Sequence, residues 1–150
     1  MENIFQDFKE WFELLNKHKV KYLIVGGYAV AFHGAPRFTG DIDVFIHSEK
    51  KNVKLLLSAL EDFGFGNCGL TAEAFLKPLQ IVELGVPPVR IDIVTSIQGV
   101  DFEEAWEGRD QGDYGKVRVF FISKDHLIRN KKSAGRKKDL ADLESLGVEE

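Results

Sequence analysis

Three aspartates carry the chemistry open to this sequence. Asp41 and Asp43 stand one residue apart in Asp41-Ile42-Asp43-Val44-Phe45-Ile46, and Asp92 lies between isoleucines in Arg90-Ile91-Asp92-Ile93-Val94. Both runs are β-prone, and a strand sends residues i and i+2 to the same face. Asp41 and Asp43 therefore point one way, while Ile42, Val44 and Ile46 point into a core. Two like charges on one side of an apolar strand are costly unless a positive charge meets them, and a divalent cation is the usual answer. If the strand of Asp92 lies beside that of Asp41 and Asp43, three carboxylates converge into a donor set for one or two Mg2+ ions. The plainer alternatives are solvent-facing edge carboxylates for the pair, and an Asp92 satisfied by Arg90 or a backbone group.

A second feature precedes the first. Residues 22–25 are apolar and β-prone, Gly26-Gly27 stops them, and residues 28–33 can wind a short helix before Gly34 and Pro36. Glycines admit close backbone approach, and free N–H groups at a helix start favour phosphate. Alone, a Gly-Gly after a strand reads more readily as a plain turn. It is neither the dinucleotide fingerprint nor a P-loop, since no Gly-Lys-Ser/Thr follows. A phosphate-cradling turn beside converging carboxylates makes phosphoryl or nucleotidyl transfer the natural chemistry. Lysines and arginines cluster in the tail at Lys131, Lys132, Arg136, Lys137 and Lys138, where Asp139 and Asp142 can pair with them and orient them. Read from the residues alone, Arg37 is a loop arginine, solvated or paired with Asp41, and His33 reads better as a hydrogen bond fixing its helix than as a proton carrier.

The elements that must hold these residues follow from periodicity. Ile4, Phe8, Trp11, Phe12 and Leu15 form one face of a helix over 3–18. Ser48 can cap a helix reaching about residue 62, with Val53, Leu56, Leu57, Leu60 and Phe63 as its buried stripe. Residues 71–76 are open between a short helix and an irregular connection. Residues 79–84 and 89–95 read as a hairpin around Gly85-Val86-Pro87-Pro88. A short helix over 102–106, a strand over 115–122 and a helix from Lys124, capped by Ser123 and broken by Gly135, follow. A last helix spans 136–146, with Leu140, Leu143 and Leu146 toward the core. This order predicts an α/β (α+β) fold: a small mixed sheet flanked by helices in a single domain over 1–150, with the helices of 124–146 packing beside the site.

Bulk properties exclude several classes. A net charge of −4 gives no general affinity for nucleic acid, so any such binding needs a local basic patch. The single Cys68 rules out an intrachain disulfide and a cysteine-rich metal knuckle. No apolar run approaches the roughly 18 residues of a membrane span, and the acidic, amphipathic start is no signal peptide, so a cytoplasmic protein is expected.

The stretch Gly26-Gly27-x-Ala29-Val30-x-x-His33-Gly34-x-x-Arg37-x-Thr39-x-Asp41-Ile42-Asp43 resembles the nucleotidyltransferase superfamily, the DNA polymerase β-like fold. More narrowly it is similar to the small AbiEii-type nucleotidyltransferase toxins. The tail Leu127-Ile128-x-x-Lys131-x-x-Ala134-Gly135-Arg136-x-Lys138-Asp139-x-x-Asp142-Leu143 is similar to their C-terminal motif. The turn departs from the pattern, with Gly26-Gly27 where many members have Gly-Ser.

The resemblance implies a Mg2+-dependent enzyme, with a two-ion site at Asp41, Asp43 and Asp92, that moves a nucleoside monophosphate from an NTP to an acceptor hydroxyl. Gly26, Gly27, Arg37 and Lys131 would hold the nucleotide, with Lys131 neutralising the triphosphate. It further implies the toxin component of a toxin–antitoxin or phage-defence pair, with tRNA or protein as acceptor and an antitoxin as partner. Two alternatives stay open: a small-molecule transferase of the antibiotic-modifying kind, and a non-catalytic nucleotide- or partner-binding module with the same fold.

Overall fold

The computed structural model describes residues 5–34, 40–66, 69–86 and 89–148. Helix α1 (Gln6–Lys17) buries Phe8, Trp11, Phe12 and Leu15 on one stripe. Each of those side chains contributes about 2–3 kcal/mol of burial before entropy is subtracted. Strand β1 (Tyr22–Val25) follows, buried at every position, and runs directly into α2 (Gly26–His33). Strand β2 (Asp41–Ile46) carries the paired aspartates. Helix α3 (Lys50–Leu60) comes next, then a π turn at Glu61–Phe65, and α4 (Ala72–Leu76) settles the open stretch as a short helix. The hairpin is β3 (Ile81–Val86) and β4 (Val89–Val94). Helix α5 (Phe102–Glu107), strands β5 (Asp110–Tyr114) and β6 (Val117–Phe121), and helices α6 (Lys124–Ala134) and α7 (Lys137–Ser145) complete the chain.

The six strands form one mixed sheet in the order β3-β4-β2-β1-β6-β5. The pairs β1–β2, β3–β4 and β5–β6 are antiparallel, whereas β2–β4 and β1–β6 are parallel. Ile42, Val44, Ile46, Ile91 and Ile93 are buried, and the alternate positions of β2 and β4 carry Asp41, Asp43 and Asp92. Helix α1 packs across β4 and β6 and against α3, while α2 packs on β1, β2 and α6. The α/β expectation, a mixed sheet covered by helices, is what the chain adopts. No helix among the described residues is long and apolar enough to cross a membrane.

Four local expectations need correction. The cap of α3 is Glu49, whose carboxylate accepts from Asn52 N at 2.7 Å, while the Ser48 hydroxyl donates to Thr95 O instead. The first hairpin strand begins at Ile81 rather than 79, because Leu79 turns left-handed at φ 61°, and it runs on through Val86, paired with Val89. Strand β5 was not expected at all. Its sequence, DQGDY, lacks an apolar alternation, and its pairing with β6 overrides weak propensity. In α7, Leu140 is 44% exposed, and the inward positions are Asp139, Asp142 and Leu143.

Candidate active site

The parallel register of β2 and β4 sets Asp43 opposite Asp92 and Asp41 opposite Arg90. Neighbours in a parallel register share a face, so three carboxylates meet on one side of the sheet. One oxygen from each of Asp41, Asp43 and Asp92 lies within 4.8 Å of the others. Asp92 is buried at 7% exposure, and Asp41 and Asp43 are half-buried.

The glycine turn touches this cluster. Val25 pairs with Asp43 across β1–β2, and Gly26 follows at φ 67°. A Cβ on Gly26 would stand 2.0 Å from Asp43 Oδ2, so the Asp43 carboxylate lies directly against the start of α2. No side chain caps that helix, and its first N–H groups, those of Gly26 and Gly27 included, begin beside the carboxylates. Farther along α2, His33 Nε2 bonds Ile122 O at 2.7 Å, which ties the helix to the strand end and leaves the ring out of the carboxylate cluster.

Crowding shows in the electrostatics. Burial first, then the charges of Asp41 and Asp92, push the Asp43 carboxyl up to about 7. Burial also raises Asp41, followed by a hydrogen bond shared with Asp92 and by its charge. Arg90 opposes the rise at Asp41, and Lys138 of α7 opposes it at both. Arg90 grips Asp92 with two bonds, Nε to Oδ1 at 2.9 Å and Nη2 to Oδ2 at 3.1 Å, and Glu83 on β3 holds the same Nη2 at 2.7 Å. The plain partner foreseen for Asp92 is thus real, and it orients the carboxylate within the cluster. Three oxygen donors with more negative charge than their surroundings neutralise are the chemistry of a hard divalent cation, and the site fits Mg2+.

A pH prediction follows. Between the ordinary carboxylate range and about pH 7, the folded protein holds a proton on Asp43 that the unfolded chain has lost. Stability of the metal-free protein therefore falls as pH rises through that window. Melting temperatures taken from roughly pH 5 to 8 should decline without metal, and Mg2+ should restore them most at the alkaline end, where the carboxylates are free to ligate. A metal-free curve that is flat or rising over this range would contradict the coupling.

The remaining candidates are placed differently. Lys131 is 4% exposed, and its Nζ lies 3.3 Å from Asp139 Oδ1 and 3.0 Å from Asp142 Oδ2. Arg37 lies outside the described residues. Sequence reasoning named Lys138 within the tail cluster without a role of its own and passed over Glu83. The signal for Glu83 is its hairpin register opposite Asp92. For Lys138, it is the position one residue from a carboxylate that turns inward.

Comparison with known proteins agrees with this geometry. A family model described as a nucleotidyltransferase of unknown function matches residues 1–150. No curated protein matches the chain in sequence. Among solved structures, a candidate nucleotidyltransferase from Thermotoga maritima superposes with a TM-score of 0.58 at 13% identity, over 91% of this chain and 88% of that one. The lincosamide antibiotic adenylyltransferase LnuA, lincomycin-bound, gives a TM-score of 0.56 at 16% identity, over 97% of this chain and 98% of that one. An antigenic nucleotidyltransferase-like protein from Paracoccidioides brasiliensis gives 0.54 at 17% identity, over 93% and 72%. At these identities the likeness is one of fold.

Proposed function

The chain belongs to this nucleotidyltransferase family, and from that premise we propose that it transfers a nucleoside monophosphate from an NTP to an acceptor hydroxyl, with Mg2+ held by Asp41, Asp43 and Asp92. The observation that carries the reading is the convergence of those three carboxylates against the uncapped start of α2. Mg2+ at this site would supply the positive charge that a polyphosphate requires and lower the pKa of an acceptor hydroxyl. The rest falls to the chain itself. The N–H groups of Gly26 and Gly27 bind phosphate oxygens. Arg90, braced by Glu83, keeps Asp92 turned to the acceptor. In the transfer, the acceptor oxygen bonds the α-phosphorus and its proton passes to the Asp92 carboxylate. The bond from that phosphorus to the bridging oxygen breaks, and its electron pair leaves with pyrophosphate.

In this reading, residues 1–150 act as one nucleotidyltransferase domain in the cytoplasm, with α6 and α7 walling the site. Kinship with the small AbiEii-type toxins is supported by the ordered Gly26–Asp43 and Leu127–Leu143 motifs, and would make tRNA or protein the acceptor and an antitoxin the partner. A second reading, adenylylation of a small hydroxylic molecule, is favoured by one observation. The chain and the lincosamide adenylyltransferase cover almost all of one another, so a fold of this length can serve a small acceptor.

Calorimetry with each NTP and Mg2+, followed by a labelled-NTP survey of tRNA, protein and aminoglycoside or lincosamide acceptors, tests the proposal. We expect Mg2+-dependent NTP binding and label on one acceptor class. A wild-type chain that binds neither Mg2+ nor any NTP would sink it.

A further inference from the structure

Cations also gather at the end of the sheet opposite the carboxylates. Val25, at one end of β1, pairs with Asp43, and Lys21 precedes the other end. At a strand's rise, Lys21 lies about 16 Å from Gly26. The parallel register of β1 and β6, Ile24 opposite Phe121, brings Arg118 beside Lys21 three residues back along both strands. Helix α1 delivers a third cation. It ends at His18, Val20 N bonds Leu15 O at 2.9 Å, and Lys19 between them turns left-handed at φ 57°. Lys19, Lys21 and Arg118 rim a cavity of about 450 Å3 walled by Val20, Trp106 and Phe120. That volume is within the range of small-ligand sites.

Exposed lysines are ordinary, but these cations differ from a solvated face. In a chain where Asp and Glu outnumber Lys and Arg by 24 to 20, no carboxylate among the described residues lines the cavity. Arg90, Arg129 and Arg136 hold carboxylates, and Arg109 stacks on Trp106 at 3.8 Å. Arg118 has neither kind of partner among the described residues, and Lys19 and Lys21 form no ion pair there. Lys19 also stands where a helix end favours glycine. The chain accepts a strained lysine at that position, and its side chain reaches the rim.

Apolar walls under unpaired cations suit a ligand with a flat apolar body and an anionic end. Beyond Trp106 the surface turns acidic, with Asp101, Glu103 and Glu107. A long polyanion crossing α5 would be repelled there, so the fit is to a small molecule. We propose that this cavity is a second ligand site, separate from the carboxylates, that takes a small aromatic anion: a ring bearing one phosphate or carboxylate. Lys21 and the guanidinium fork of Arg118 bind the anion with Lys19, and the ring lies against Trp106 and Phe120.

Calorimetry in EDTA with AMP, indole-3-acetate and adenosine tests the site. Without metal, the carboxylate cluster repels anions. AMP or indole-3-acetate should bind, and which of them does so tells phosphate from carboxylate. Adenosine, the ring of AMP without its phosphate, should bind at least tenfold more weakly than AMP where AMP is the ligand, about the worth of one charge-assisted contact. Trp106 fluorescence should report AMP binding, since the other tryptophan, Trp11, is fully buried. Lys21→Ala and Arg118→Ala should each weaken the anion about tenfold. Lys19→Gly should weaken it while raising the melting temperature, because glycine relieves the left-handed strain; a lysine with no ligand would give the second effect without the first. Failure of both anions to bind, adenosine binding as tightly as the anions, or unchanged affinity in both Lys21→Ala and Arg118→Ala overturns the inference. So does loss of binding in Asp43→Asn, which would put the ligand at the carboxylates, or tighter binding of a single-stranded oligonucleotide than of either anion, which would make this a nucleic-acid face. The transfer reading rests on other residues and stands in each case.

Discussion

Asp43→Asn should abolish nucleotidyl transfer and, in the same molecule, raise the melting temperature of the metal-free protein near pH 8. The two effects have one cause. Asp43 is the most crowded of the three carboxylates, set between Asp41 on its own strand, Asp92 on the next and the backbone of Gly26. Its carboxyl is pushed from 3.8 to about 7 by burial and by those two charges. Ionising it at pH 8 costs the fold up to about 4 kcal/mol, and partial exposure brings that nearer 2. Asparagine keeps the shape and removes the charge, so the cost disappears. A gain of about 2 kcal/mol corresponds to roughly 4–8 °C in a domain of this size. Below about pH 4 both proteins carry a neutral group there, and the difference should vanish. Activity moves the other way, because the variant loses a metal ligand and the charge that draws the cation. A loss of at least ~1000-fold in pyrophosphate release is expected. Scanning calorimetry across pH and a pyrophosphate assay check both halves. Near-wild-type turnover would place the chemistry elsewhere. Lost activity with no alkaline gain in stability would show a ligand without the predicted electrostatic cost.

The same residues show how much the sequence discloses. The carboxylate cluster is legible because strand periodicity is two and admits one assignment. Once Asp41 and Asp43 share a face, an aspartate flanked by isoleucines on another strand can only join them or face away. The β2–β4 register, Asp43 opposite Asp92, resolves that choice and depends on the whole sheet. Helix rotation is less legible. The pattern of α7 fits either Leu140 or Asp139 inward, and apolar preference selects the leucine. The fold selects the aspartate, because the ammonium of Lys131 arrives from α6 to meet it. Strand β5 is illegible for a related reason: in DQGDY only Tyr114 is β-prone, and the strand's place is set by its partner β6. The expected cap of α3, Ser48, gives way to its neighbour Glu49 because the Ser48 hydroxyl donates to Thr95 O.

Gly26→Ala is the second large effect, and it separates geometry from charge. Gly26 is constrained twice. Its φ of 67° lies in the left-handed region, where an L side chain costs roughly 1–2 kcal/mol. The added methyl would also stand 2.0 Å from Asp43 Oδ2 and 2.9 Å from its Cγ. Backing away is difficult, because Val25 and Asp43 are paired across β1–β2 and Asp43 is paired again with Asp92. Relief must come from turning the Asp43 side chain or displacing the start of α2, at about 1–3 kcal/mol more. A total loss of about 2–5 kcal/mol is expected, large against the 5–15 kcal/mol of a typical domain. Gly147→Ala supplies the control, since Gly147 has φ 80° with nothing within 4 Å of an added Cβ. It should show the backbone cost alone, and the difference between the two melting temperatures isolates the contact with Asp43. Either escape also moves a metal ligand or the phosphate-binding N–H groups, and a misplacement of about 1 Å is worth some 100-fold in rate. The folded fraction of Gly26→Ala should therefore turn over at least ~100-fold more slowly than wild type, even at a temperature where circular dichroism shows it intact. Equal stability of Gly26→Ala and Gly147→Ala, with full activity in both, would mean that Asp43 does not lie against the helix start, and the phosphate end of the site would have to be sought away from Gly26.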